Sequence, residues 1–146
     1  MPAYTAVPTT EPPWPGVVVI HDFTGMSQDL RGQADWLAGE GFLAIAPDLY
    51  YWGSRLRCLR TIMGDLGPRR GRSFDDIEAA RRWLRDHVGC SGVVGVVGFC
   101  MGGGYAIALA GGPRVQRFGR ELRRMPLRCQ GLVGAGVPSR GEFRRC

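Results

Sequence analysis

Val93-Val94-Gly95-Val96-Val97-Gly98-Phe99-Cys100-Met101-Gly102-Gly103-Gly104-Tyr105-Ala106-Ile107-Ala108-Leu109-Ala110 is the stretch that decides the fold. A β-branched run of strand character leads into Gly98-Phe99-Cys100-Met101-Gly102, and a run of small, helix-prone residues follows. A strand, a tight turn and a helix are thus written around a single thiol. This is the G-x-nucleophile-x-G elbow with Cys in place of the more usual Ser, a motif whose meaning depends on the flanking strand and helix. Glycine on both sides lets the backbone reverse without Cβ clashes, so the central residue can be held in a strained conformation. A thiol there sits at a helix N-terminus, where backbone N–H groups and the helix dipole favour a thiolate and can hold an oxyanion. The competing reading is a buried structural cysteine in a glycine-rich turn.

Upstream, Gly16-Val17-Val18-Val19-Ile20 and Phe42-Leu43-Ala44-Ile45-Ala46 are continuous apolar runs, as expected of strands covered on both faces. Pro47 stops the second. Between them Leu30 to Glu40 predicts a helix with Leu30, Ala34, Leu37 and Ala38 on one face, capped by Ser27 or Asp29. Leu56 to Leu66 predicts partial helix. Ser73-Phe74-Asp75-Asp76 predicts the start of another, with Ser73 as its cap and Ile77, Ala80, Trp83, Leu84 and Val88 on its apolar face. Alternation of strands and helices gives an α/β class with a mainly parallel sheet, whose chemistry lies at the carboxyl ends of the strands. Met1 to Pro15, rich in Pro and Thr, predicts an extended lead-in to a domain over 16–110.

Charge divides the chain unevenly. All 19 basic residues are Arg, and the net charge is +6. Residues 1–110 carry 10 Arg against 11 acidic residues, a net of −1; residues 111–146 carry 9 Arg against Glu121 and Glu142, a net of +7. The basicity belongs to the last segment, which lacks interleaved aromatics and any nucleic-acid-binding motif, so nucleic acid is not the expected partner. Residues 111–146 are expected to be a disordered tail or the out-of-frame reading of GC-rich DNA. The five cysteines are scattered with no C-x-x-C, which predicts free thiols and neither a zinc site nor a redox pair. No run of about 18 apolar residues is present, and the first residues lack the features of a signal peptide, so a cytoplasmic protein is expected.

His21-Asp22-Phe23-Thr24-Gly25 after the first run, Pro47-Asp48-Leu49-Tyr50 after the second, Asp76-Ile77-Glu78-Ala79-Ala80, and Gly98-Phe99-Cys100-Met101-Gly102-Gly103 together resemble the dienelactone hydrolase family of α/β-hydrolases over roughly residues 13–110. The resemblance implies hydrolysis of a small ester or enol-lactone through a Cys-Asp-His triad, without metal or organic cofactor. Position by position, Cys100 matches the nucleophile. The N–H groups of Phe23 and Met101 match the oxyanion hole. Asp22 matches a carboxylate near the resting thiol, or merely caps its loop. Tyr50 matches a residue lining the site; with Tyr51 and Trp52 it equally suits lid packing. Arg57 and Arg60 match substrate-carboxylate ligands or form a solvated face. His21 is not expected to be the triad base, because the base of this fold follows the nucleophile in chain order, and His87 is expected to be solvated.

The departure from the pattern is as informative. No His and no Asp occurs after residue 100, so the triad's base and its orienting acid are missing and the partial fold is expected to be inactive. Two readings stay open: an ester hydrolase whose family pattern ends after the nucleophile helix, and a non-catalytic remnant or small-ligand-binding module of the same fold. A thioesterase or carboxylesterase is the alternative among enzymes, since the fold hosts many substrates.

Overall fold

A computed structural model describes residues 1–110, and the expectations for 111–146 lie outside the described residues. The elements run β1 (Ala3–Ala6), β2 (Trp14–Ile20), α1 (Gln28–Gly39), β3 (Leu43–Pro47), α2 (Arg55–Leu66), α3 (Arg72–Asp86), β4 (Cys90–Gly98) and α4 (Met101–Ala110). The sheet order is β1-β3-β2-β4. β2 pairs in parallel with β3 and β4, and β1 pairs antiparallel with β3. The α/β class and mainly parallel sheet follow the sequence.

The continuous apolar runs have a direct cause. Side chains alternate across a strand, and both faces of this sheet are covered. Val17 and Val19 of β2 join Ala44 and Ala46 of β3 under Leu30, Ala34, Leu37 and Ala38 of α1. Val18 and Ile20 join Leu43 and Ile45 on the opposite face, under Ile62 of α2, Phe74, Ile77 and Leu84 of α3, and Tyr105 of α4. Burying each Val, Ile or Leu removes apolar surface worth about 1.5–3 kcal/mol from water. A polar residue in the middle of either strand therefore has no face on which to be solvated.

The chain leaves β2 through α1 to β3 on one side, then crosses back to β4 on the other. Strand order reverses at β2, and the crevice outside the carboxyl ends of β2 and β4 is where such sheets bind ligands. The last register pair of these strands is Ile20↔Gly98. Residues 21–25 and 99–101 thus emerge side by side.

Several local expectations are corrected. Residues 3–6, within the extended lead-in, form β1, with Ala3 opposite Pro47 and Ala6 opposite Ala44. Leu56–Leu66 is fully helical rather than partly so. Ser27 caps α1, its Oγ accepting from the Leu30 N–H at 3.1 Å, and Asp29 lies inside the first turn. Ser73 does not cap α3: the helix begins at Arg72, and the Ser73 N–H donates to Asp65 Oδ2 at 3.0 Å, a carboxylate from the end of α2. The apolar face of α3 also shifts. Trp83 and Val88 are exposed, whereas Arg81 is buried on the stripe and held by Glu78 at 2.8 Å and 2.9 Å.

Candidate functional site

The site begins where β4 ends. Cys100 takes φ 52, a left-handed conformation unusual for a residue with a side chain, and its thiol-bearing residue is exposed. The turn is tight because its neighbours lack side chains. A Cβ on Gly102 would lie 2.3 Å from the Ile20 carbonyl oxygen and 2.8 Å from that of His21, and one on Gly98 would lie 2.1 Å from the Gly102 carbonyl oxygen. The first turn of α4 therefore rests directly on the backbone at the end of β2. The Phe99 N–H donates to the Ile20 carbonyl at 3.2 Å, tying the elbow to β2 before the helix begins. Met101 opens α4 with its side chain in the core, leaving its N–H among the unpaired donors of a helix start.

Beside this elbow, residues 21–25 are fixed by a network of short hydrogen bonds. Asp22 Oδ1 accepts from the Thr24 N–H at 2.8 Å and from the Thr24 hydroxyl at 2.5 Å. The Thr24 hydroxyl bond, more than any other influence, holds the Asp22 carboxyl below its usual range. The loop-capping geometry foreseen for Asp22 is thus present. The Asp22 carbonyl accepts from the Gly25 N–H at 3.3 Å, closing a four-residue turn. Tyr50, buried after β3, donates its hydroxyl to the Phe23 carbonyl at 2.9 Å. Its ring lies 4.8 Å from that of His21, tilted by 55°. Burial raises the Tyr50 phenol above its ordinary value, so it remains a donor.

His21 is fully buried and joins the two strand ends. Its Nε2 accepts from the Leu49 N–H at 3.1 Å, and its Nδ1 lies 2.6 Å from the Asp22 carbonyl oxygen. Burial pushes the imidazole below its ordinary value. With both ring nitrogens engaged by backbone, it has no free lone pair for proton abstraction. His87 lies away from this loop at the end of α3, half-buried, its Nδ1 accepting from the Gly89 N–H at 3.1 Å. The expectation of a solvated His87 is corrected to that extent.

Of the residues singled out from sequence, Asp22, Phe23, Tyr50, Cys100 and Met101 come together at the ends of β2, β3 and β4. Arg57 and Arg60 do not join them through any bond: both are exposed on α2 and make no hydrogen bond or ion pair among the described residues. Tyr51 and Trp52 pack instead on Arg72 of α3, whose guanidinium carbon lies 5.2 Å and 4.9 Å from their ring centroids. Sequence reasoning missed the part played by His21, because its Leu49 partner is 28 residues away. Among the described residues no group of three or more His, Cys, Asp or Glu side chains is placed to hold a metal ion. No helix among them is long and apolar enough to cross a membrane.

Comparison with known proteins agrees with this arrangement. The model of the dienelactone hydrolase family matches residues 1–118, beginning earlier and ending later than the motifs alone indicated. A carboxymethylenebutenolidase of Pseudomonas putida is 31% identical over 114 residues, covering 72% of this chain and 48% of that protein. Carboxymethylenebutenolidase 1 of Cupriavidus pinatubonensis is 30% identical over 120 residues, covering 74% of this chain and 50% of that protein. The crystal structure of a Klebsiella pneumoniae protein assigned to the dienelactone hydrolases superposes with a TM-score of 0.59 at 28% identity, over 78% of this chain and 50% of that one. The chain thus spans about half the length of the curated relatives it matches. With the family model matching most of its length and the elbow standing where the sheet reverses, this chain belongs to the dienelactone hydrolase family.

Proposed function

We propose that this chain is the nucleophile-bearing part of an ester or enol-lactone hydrolase. The Cys100 sulfur attacks the substrate carbonyl carbon. As the C–S bond forms, the carbonyl π pair moves onto oxygen, where the N–H groups of Phe23 and Met101 stabilise it. Collapse expels the alkoxide or enolate and leaves a thioester on Cys100, the thiol proton having gone to solvent. The single observation that carries this reading is Cys100 itself. It is exposed at φ 52, and it stands at the start of α4 against the end of β2. Among the described residues no hydrogen bond engages the Phe23 N–H or the Met101 N–H, which supports their assignment as donors to a developing oxyanion. Asp22 keeps negative charge at the edge of the site, and Tyr50 lines it from beneath.

Turnover requires a base to activate water and an acid for the leaving group. The 146 residues contain only His21 and His87, and neither Asp nor His after Cys100. The polypeptide is therefore expected to acylate once and stop. The relatives' name, carboxymethylenebutenolidase, makes a small lactone the first substrate to test. A thioester or carboxylic ester is the next. That both His21 ring nitrogens meet backbone groups favours a second reading, a binding module that holds such ligands without chemistry.

Exposure to p-nitrophenyl acetate separates these. One equivalent of nitrophenolate, with a single acetyl group on the Cys100 peptide, supports the first. No adduct on Cys100, with lactone binding intact, supports the second. Steady turnover near an ordinary enzyme's ~10 per second would mean that a group other than a downstream His serves as base.

A further inference from the structure

We propose that His21 is the positioning residue of the oxyanion hole, a role that rests on the acylation chemistry proposed for Cys100. The Leu49 backbone N–H can only donate, so the His21 Nε2 it meets at 3.1 Å carries a lone pair. The single ring proton of the neutral imidazole therefore sits on Nδ1. There it is donated to the Asp22 carbonyl oxygen at 2.6 Å. Leu49 thus selects the tautomer and His21 spends its one proton on one carbonyl.

That carbonyl belongs to the peptide unit whose other end is the Phe23 N–H. A trans peptide is planar, with its C=O and N–H antiparallel. Pinning the Asp22 oxygen inward on His21 turns the Phe23 N–H outward from the buried network. The next peptide unit is held as firmly: its Phe23 carbonyl accepts from the Tyr50 hydroxyl at 2.9 Å, and its Thr24 N–H donates to Asp22 Oδ1 at 2.8 Å. The Gly25 N–H also reaches the Asp22 carbonyl, at a longer 3.3 Å, and closes the turn without linking it to β3. Among the described residues His21 alone connects this carbonyl to the neighbouring strand end. It is completely buried, with its ring against that of Tyr50. The side chain touches neither the thiol nor any reacting atom; it acts through the plane of a peptide.

Two reactions of Cys100 distinguish positioning from general structural support. Acylation by p-nitrophenyl acetate develops an oxyanion. Alkylation by iodoacetamide displaces iodide at a saturated carbon and develops none. Losing a well-placed oxyanion donor costs about 100- to 1000-fold in rate, and misaligning one should cost about 10- to 100-fold. In the His21→Leu variant the acylation rate is expected to fall by that amount while the alkylation rate holds. His21→Asn keeps an N–H donor near the Nδ1 position and is expected to recover most of the acylation rate. His21→Gln, which reaches instead toward the Nε2 position, is expected to recover less. Should His21→Leu fail to fold, the Asn and Gln variants carry the comparison alone. Equal acylation by both, or parallel loss of acylation and alkylation, overturns the proposal. Absence of acylation in the unsubstituted protein, with alkylation intact, instead overturns the hydrolase reading.

Discussion

Tyr50 donates its hydroxyl to the carbonyl of Phe23 at 2.9 Å, across 27 residues of sequence. The bond links the end of β3 to the loop after β2, and it holds the peptide unit that follows the proposed oxyanion-hole donor. Tyr50→Phe removes only the oxygen and leaves the ring against His21. The Phe23 carbonyl then loses a partner, at a cost of about 1 kcal/mol of stability. If that loss is felt in the transition state, acylation of Cys100 slows about fivefold while iodoacetamide alkylation stays constant. Stopped-flow release of nitrophenolate and a urea titration measure the two effects separately.

The elbow is packed to a tolerance of less than one methyl group. Gly102→Ala would drive a Cβ to 2.3 Å from the Ile20 carbonyl oxygen, which is backbone and cannot swing aside. The expected loss is at or above the roughly 3 kcal/mol upper end of overpacking costs. Gly64, inside α2, supplies the contrast. A Cβ there meets nothing within 4 Å, and Gly64→Ala is expected to stabilise by about 0.5–1 kcal/mol through helix propensity. Urea midpoints of the two variants should move in opposite directions.

Burial of His21 makes stability depend on mild acid. Its folded-state value lies below the ordinary 6.5, chiefly because burial disfavours the charged ring; Asp48 and Asp22 offset this in part. As pH falls below 6.5 the unfolded chain takes up a proton that the folded chain refuses. Stability is therefore full above that pH, falls as pH drops towards the folded value, and levels off beneath it. The slope is at most about 1.4 kcal/mol per pH unit for this single group. Asp22, Glu78 and Asp86 have values lowered from the ordinary carboxylate range, below the pH values compared, while the raised value of Asp76 acts with the opposite sign. Denaturant titrations at pH 7.5 and 5.5, in the unsubstituted protein and in His21→Asn, isolate the contribution. A His21→Asn variant with the same acid sensitivity would place its origin elsewhere.

How much of this was legible depends on where each feature's partner lies. Strands β2, β3 and β4 announce themselves because both faces are covered, and a doubly buried strand has no reason to alternate. The elbow is legible because its constraint is local, Gly98 and Gly102 on either side of Cys100. β1 is not, because Ala3–Ala6 is short and its stabilisation comes from backbone bonds to β3 some forty residues on. The α3 cap misled for a similar reason. Ser73 has the right chemistry, yet α3 starts one residue earlier and the Ser73 N–H is itself taken by Asp65 from the end of α2. Along α3, hydrophobicity suggested Trp83 where the helical period selects Arg81, neutralised in place by Glu78. His21 was visible as a residue, but nothing in the sequence could show that Leu49 fixes its proton.

The conformation of Cys100 offers the sharpest test of the elbow. A left-handed residue with a Cβ carries about 1–2 kcal/mol of strain, and Cys100 sits there at φ 52. Cys100→Gly removes the strain but adds freedom to the unfolded chain, which offsets part of the gain. A net stabilisation of roughly 0.5–1 kcal/mol is expected, together with complete loss of acylation. Cys100→Ala removes the thiol and keeps the Cβ, so it should lose acylation with little change in stability. Arg69, at φ 54 in the turn between α2 and α3, provides a control of the same geometry. Arg69→Gly should stabilise to a similar degree and leave acylation untouched. The pattern expected of a strained nucleophile is therefore a residue whose replacement by glycine improves the fold and ends the chemistry. If Cys100→Gly proves no more stable than Cys100→Ala, the thiol is not held under strain and the elbow reading fails.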